Sequence, residues 1–197
     1  MAQQLPEYAI IVAGGSGTRM QHDVPKQFIP VAGKPILMHT IERFHNYNPT
    51  IRLIVVLPKE QLTTWRELCK EYNFTLFHMT VPGGTTRFGS VKNGLDAVMG
   101  DGVIAVHDGV RPFVEIETIK AAFEAAANYG SGVVAVSPKD SIRELTPGEV
   151  KPCRAPTINS CKPRRYLKPG FLKKHISNRN RIILPMMPPL WKALEKL

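Results

Sequence analysis

Four cations and one carboxylate are spaced along the first 111 residues in a way that suits phosphate chemistry. Arg19 and Lys26 follow a glycine-rich turn, Ala13-Gly-Gly-Ser-Gly-Thr-Arg-Met20; Arg87 follows Gly83-Gly84; and Arg111 follows Asp108 in His107-Asp-Gly-Val-Arg-Pro112. Arginine offers phosphate a planar fork and lysine a compact point charge. Gly14, Gly15 and Gly17 have no Cβ, so the backbone of the turn can come close to a ligand. Bare N–H groups there, with the positive end of a following helix, favour an anion. Pro25 fixes φ just ahead of Lys26. The stretch reads as a polyphosphate cradle, with a tight strand-to-helix connection as the alternative for the glycine turn taken alone. It is neither the P-loop pattern, which needs Gly-Lys-Ser/Thr, nor a clean dinucleotide fingerprint, whose third glycine falls on Met20.

Asp108 comes directly after an apolar run, which places its carboxylate at a strand end. A hard oxygen ligand facing a polyphosphate suits Mg²⁺, which completes its shell with phosphate oxygens and water; a capping or turn aspartate is the alternative. His107 reads as a positioning or core histidine, because no second His or Cys stands near it in the pattern. Arg111 precedes proline, so it lies outside a helix interior, free to pair with Asp108 or to bind a phosphate. Gly83-Gly84 with Arg87 makes a second glycine-plus-cation loop. There Arg87 has the alternative of a solvated charge, and Ser90 that of a helix cap.

These residues need a scaffold, and the apolar pattern supplies one. Ile10–Ala13 is a continuous apolar run, the mark of a strand buried on both faces. Helical spacing follows over Lys34–Phe44, with Ile36, Leu37, Thr40, Ile41 and Phe44 on one face. Strands are expected at Ile51–Leu57, Phe74–Met79, Val103–Val106 and Gly132–Val136, and helices at Gln61–Tyr72, Val91–Met99 and Glu115–Tyr129, with Val81–Ser90 a loop. Strands alternating with helices imply an α/β fold with a doubly wound, mostly parallel sheet. Ligands of such sheets bind at the carboxyl ends of the strands, where the strand order reverses. The glycine turn, the 82–90 loop and the 107–112 segment should therefore meet on one edge.

The chain of 197 residues suits one domain of ordinary size. No apolar run reaches membrane-spanning length, and the first residues carry no basic start followed by an apolar segment, so neither a span nor a signal peptide is expected. Cys69, Cys153 and Cys161 have no metal-ligand spacing and no even-numbered framework, which points to a reduced, cytoplasmic protein. The net charge of +10 is not spread evenly. Residues 1–150 hold 14 Lys/Arg against 15 Asp/Glu, whereas 151–197 hold 12 against Glu195 alone.

Taken together, the motifs resemble those of the 2-C-methyl-D-erythritol 4-phosphate cytidylyltransferase family of the non-mevalonate isoprenoid pathway. The resemblance rests on Ala13–Met20, Pro25-Lys-Gln27, Gly83-Gly84 with Arg87 and Ser90-Val91, His107–Pro112 and Asp140-Ser-Ile142, and runs in order from residue 8 to about 146. It implies a Rossmann-like nucleotidyltransferase domain over 1–146, incomplete relative to the family. It also implies that Ala13, Gly14, Gly15, Gly84 and Ser90 contact the cytosine and ribose of CTP, with Gly17 and Arg87 in the same nucleotide site. Arg19 and Lys26 would neutralise the triphosphate and the pentacoordinate transition state. Asp108 would hold Mg²⁺ and orient methylerythritol phosphate, with Arg111 and Ser141 beside that substrate; the family usually has Thr at the position of Ser141. The family forms a homodimer through a β-arm. A pentitol phosphate cytidylyltransferase, which shares the CTP site, is the alternative within the class.

Beyond Leu145 the resemblance stops. Residues 151–197 hold 7 prolines and one glycine with little periodic apolar pattern. The family's arm, its Gln-Thr-Pro-Gln strand and its Thr-Asp-Asp/Glu-Ala-Ser segment are missing from the printed residues. Yet back-translating Pro147–Leu197 and reading from two nucleotides later permits a product that contains these motifs in order. The tail, 147–197, is therefore expected to be a frameshifted, poorly ordered segment, the shift lying between about Leu145 and Lys151. In that case the chain could be an inactive remnant. A basic nucleic-acid-binding arm is the competing reading of the tail.

Overall fold

The computed structural model describes residues 5–14, 24–134, 143–146, 149–152 and 181–183. In chain order the elements are β1 (Glu7–Val12), a 3₁₀ turn (Lys26–Phe28), β2 (Pro30–Val31), β3 (Lys34–Pro35), α1 (Ile36–Tyr47), β4 (Arg52–Leu57), a second 3₁₀ turn (Lys59–Gln61) and α2 (Leu62–Glu71). They continue with β5 (Met79–Pro82), α3 (Arg87–Asp96), β6 (Val103–Asp108), α4 (Ile116–Tyr129), β7 (Ser131–Gly132), β8 (Arg143–Thr146), β9 (Glu149–Pro152) and β10 (Arg181–Ile183).

The main sheet has the order β5-β4-β1-β6-β10-β7, and every pair in it is parallel. The chain builds outward from β1 to β4 and β5, then returns to lay β6 on the other side of β1, so the order reverses between β1 and β6. β2 and β3 form a separate antiparallel pair, as do β8 and β9. From the tail, 149–152 and 181–183 are strands; its other residues lie outside the described ones.

Both faces of the sheet are covered, as the continuous apolar runs require. Ala9, Ile11, Val55 and Leu57 point to one face, against Leu37, Met38, Ile41 and Phe44 of α1, Trp65 of α2 and Ile119, Phe123 and Ala126 of α4. Tyr8, Ile10, Val12, Ile54, Val56, Ile104 and Val106 point to the other, where Val91 and Leu95 of α3 pack. Helix ends follow local chemistry. Thr86 caps α3 by accepting the Gly89 N–H at 3.0 Å. Gly130, at φ 85°, closes α4 through its N–H to Ala126 O at 2.9 Å.

The third strand differs from the expectation. The alternation of burial runs back to Phe74, but the ladder to β4 begins only at Met79. Phe74 and His78 lie instead against Trp65, with ring centroids 6.2 and 5.7 Å away. An alternating pattern reports an extended chain with one buried face, and here that face is turned toward a helix with no neighbouring strand. The expected start of α3 at Val91 also shifts to Arg87, because Thr86 is the cap.

The Trp65 indole N–H donates to His78 Nε2 at 2.9 Å, so Nδ1 carries the proton and donates to Leu76 O at 2.7 Å. Desolvation lowers the His78 pKa from 6.5, outweighing the opposite pull of the Leu76 carbonyl. A depressed histidine binds its proton more readily when unfolded, so its contribution to stability is whole above pH 6.5 and lost as pH falls through the native value. Urea unfolding of wild type and His78→Asn, followed between pH about 7.5 and about 5.5, checks this. Wild type should lose more stability than the variant on acidification; equal losses exclude His78 as the source.

Candidate active site

The carboxyl edge of the sheet is assembled by backbone hydrogen bonds that tie the loops to neighbouring strands. Ala13 N–H donates to Val56 O at 2.9 Å, Gly83 N–H to Leu57 O at 2.7 Å and Gly109 N–H to Val12 O at 2.8 Å. The register sets Asp108 opposite Val12. The start of the glycine turn, the 82–90 loop and the 107–112 segment are thereby brought together where the strand order reverses, as expected.

The second glycine loop is held by Ser90. Its hydroxyl accepts the Gly84 N–H at 3.1 Å and donates to Thr86 O at 3.0 Å. Ser90 is thus a buried clasp of the loop, while the cap of α3 is Thr86. One close approach explains a glycine: a Cβ on Gly84 would lie 2.8 Å from the Gly89 carbonyl carbon, whereas one added to Gly14 would stand at an ordinary contact distance, 3.9 Å, from Ser90 Oγ. The turn after β1 and the loop before α3 therefore face one another across a hydroxyl.

Asp108 lies between two arginines. Arg87 Nη1 is 2.5 Å from Oδ1, and Arg111 Nε donates to Oδ2 at 2.9 Å. The Arg87 contact is an ion pair whose angle is not that of a hydrogen bond. The buried Oδ1 has no hydrogen-bond partner among the described residues. Of the choices left by the sequence, Arg111 is paired with Asp108, and Arg87 is ion-paired with the same carboxylate instead of being a freely solvated loop charge. His107 is a positioning residue, buried against Phe44, with Nε2 3.0 Å from Arg111 O.

Lys26 is exposed on the 3₁₀ turn, while the next two residues anchor that turn. Buried Gln27 donates from Nε2 to Gln61 Oε1 at 2.6 Å, and Phe28 stacks on Trp65 with ring centroids 5.9 Å apart. The lysine is thus held out by its neighbours' burial. Gly15, Gly17, Arg19 and Ser141 lie outside the described residues.

Thr40 is the positioning residue whose part the pattern did not disclose. Helical spacing marked it only as a core-facing position, but its Oγ1 donates to Gly109 O at 2.9 Å. Gly109 in turn is so close to β1 that a Cβ there would lie 2.7 Å from Ala13 Cβ. The one signal available beforehand was a hydroxyl in an otherwise apolar helix face. Thr40→Val should cost about 1–3 kcal/mol by leaving the buried Gly109 carbonyl unpaired, while Thr40→Ser retains most of the stability; urea midpoints of the two variants measure the difference.

An α/β nucleotidyltransferase fold is what this sheet and its edge define. A solved 4-diphosphocytidyl-2C-methyl-D-erythritol synthase from Anaerococcus prevotii superposes with a TM-score of 0.66 at 22% identity, over 79% of this chain and 68% of that one. The family model for 2-C-methyl-D-erythritol 4-phosphate cytidylyltransferase matches residues 8–155, and the chain belongs to that family. The enzyme of that name from Bacteroides thetaiotaomicron is 48% identical over 142 residues, 72% of this chain and 65% of the relative. The one from Azobacteroides pseudotrichonymphae is 51% identical over 140 residues, 71% of this chain and 63% of the relative. The match thus spans slightly less than two thirds of the length of these curated relatives.

Proposed function

We propose that the active site performs cytidylyl transfer: CTP gives its cytidylyl group to 2-C-methyl-D-erythritol 4-phosphate and pyrophosphate is released. The observation that carries this reading is the meeting of Gly14, the Ser90-clasped Gly83-Gly84 loop and Asp108 at the strand-order reversal of a chain in this family. Supporting it, the curated relatives bear the name of that activity.

The chemistry follows from charge. A phosphate oxygen of the acceptor attacks the α-phosphorus of CTP in line; one P–O bond forms as the bond to pyrophosphate breaks. That oxygen is already ionised, so no general base is required. The difficulty is bringing two anions together, and the protein answers it by positioning and charge. Lys26, on its anchored turn, and Arg19 neutralise the triphosphate; the glycine backbones of both loops let base and ribose approach closely. Arg111, Asp108 and Ser141 address the acceptor.

Whether the site suits Mg²⁺ is tested by its donors. No group of three or more His, Cys, Asp or Glu gathers among the described residues. A single carboxylate whose buried oxygen is paired with Arg87 by charge, and accepts no hydrogen bond among the described residues, is compatible with an ion held by one carboxylate and substrate phosphates. Asp108 fits. Bound there, Mg²⁺ would neutralise phosphate oxygens. Lys26→Ala should lower the chemical rate by roughly 10²–10³, the scale of losing one preorganised donor. Pyrophosphate release from CTP, Mg²⁺ and either the erythritol or a pentitol phosphate reads both the rate and the acceptor; unchanged turnover removes Lys26 from catalysis.

The tail enters the same reading. The family match ends at residue 155, close to where the charge balance changes. A reading-frame shift between about Leu145 and Lys151 would account for the family motifs recoverable in the other frame, the family match running a few residues beyond it, to residue 155. Resequencing the gene across those codons should find the shift, whereas an intact, unambiguous frame ends the idea.

A further inference from the structure

We infer that Arg87 is a resident counter-ion of Asp108 that competes with a divalent cation for the carboxylate, and that nucleotide phosphates draw it away. The inference rests on the cytidylyl-transfer reading for its ligands, but its geometry stands on the two ion pairs of Asp108. Arg87 Nη1 is 2.5 Å from Asp108 Oδ1. A magnesium ion binds a carboxylate oxygen at roughly 2.0–2.1 Å. A guanidinium nitrogen and a divalent ion on the same buried oxygen repel one another and crowd the same approach, so the two compete for it.

Of the two arginines on Asp108, Arg87 is the one placed to leave. Arg111 belongs to the same turn as Asp108: its N–H donates to Asp108 O at 3.1 Å, and its carbonyl lies 3.0 Å from His107 Nε2. Its side chain grips Oδ2 with a directed hydrogen bond. Arg87 instead reaches over from the first residue of α3, directly after the glycine loop and its cap. It holds Oδ1 by charge without hydrogen-bond geometry. A guanidinium pairs with phosphate as readily as with carboxylate. Arg87 thus stands between two anionic partners, Asp108 and the phosphates of an arriving nucleotide. Moving to the second vacates the oxygen that the cation requires. Nucleotide and cation then bind cooperatively, and the empty enzyme resists occupation by free cation.

The test measures Mn²⁺ binding to the full chain without nucleotide, by loss of the free-ion electron paramagnetic resonance signal, and CTP binding in EDTA by calorimetry. Circular dichroism confirms that each variant is folded. Arg87→Met should tighten Mn²⁺ by roughly 5- to 150-fold, the range of ordinary coupling between sites, and weaken CTP. Arg87→Lys, which keeps the competing charge, should leave Mn²⁺ weak and serves if the Met variant does not fold. Asp108→Asn should lose Mn²⁺ and tighten metal-free CTP, since Arg87 is released to the phosphates. If Arg87→Met binds Mn²⁺ no better than wild type while Asp108→Asn loses it, the exchange is refuted and the transfer reading survives. An Asp108→Asn variant that keeps wild-type Mn²⁺ affinity overturns the cation site, and with it the exchange. Wild type that binds no CTP at all overturns the transfer reading itself.

Discussion

The carboxyl end of β1 is the constraint on which the rest depends. β1 runs through the middle of the sheet, with Ala9, Ile10 and Ile11 wholly buried. Its neighbours β4 and β6 were laid down by opposite turns of the chain, which puts the strand-order reversal, where ligands of such sheets bind, at β1. Strand ends that share a ladder cannot drift apart. The bonds from Ala13 to Val56 and from Gly109 to Val12 therefore hold the site's backbone at the geometry of the sheet itself. Such rigidity would suit the proposed transfer, which depends on positioning and charge.

Around that edge, the cations and the carboxylate are supported in different ways. Asp108 is fixed by its place at the end of β6, and Arg111 by a turn that His107 and Phe44 brace from beneath. Lys26 sits on a 3₁₀ turn secured by the burial of Gln27 and Phe28. Arg87 is carried by α3, whose first turn is clasped to the glycine loop by Ser90. A carboxylate between two guanidinium groups is stable without ligands, and each guanidinium is also a ready partner for phosphate. Two guanidinium groups on one carboxylate leave the cluster with one positive charge in excess, which favours anions.

Much of this was legible beforehand. Continuous apolar runs at Ile10–Ala13, Ile51–Leu57 and Val103–Val106 can only be strands covered on both faces, and helices between them can only be crossovers. The convergence of the three loops followed from topology. Phe74–His78 misled because period-two burial does not say whether a strand or a helix lies alongside; Trp65, distant in helical register, took that place. Thr40 was invisible for a similar reason, since its partner Gly109 lies 69 residues away and one hydroxyl on an apolar face carries no address.

Residue types and order by themselves determined the parallel α/β architecture, the edge on which the loops meet, the grouping of Arg19, Lys26, Arg87 and Arg111 with Asp108 as candidates for phosphate chemistry, and the break in composition after residue 150. These are local properties of charge, conformational freedom and periodicity, and they need no partner to be expressed. Only the tertiary structure decided which charges meet: that both arginines close on Asp108, that Ser90 clasps Gly84, and that Gln27 and Phe28 hold the turn of Lys26. Such pairings depend on the distances between side chains of separate elements, which exist only once the core has packed.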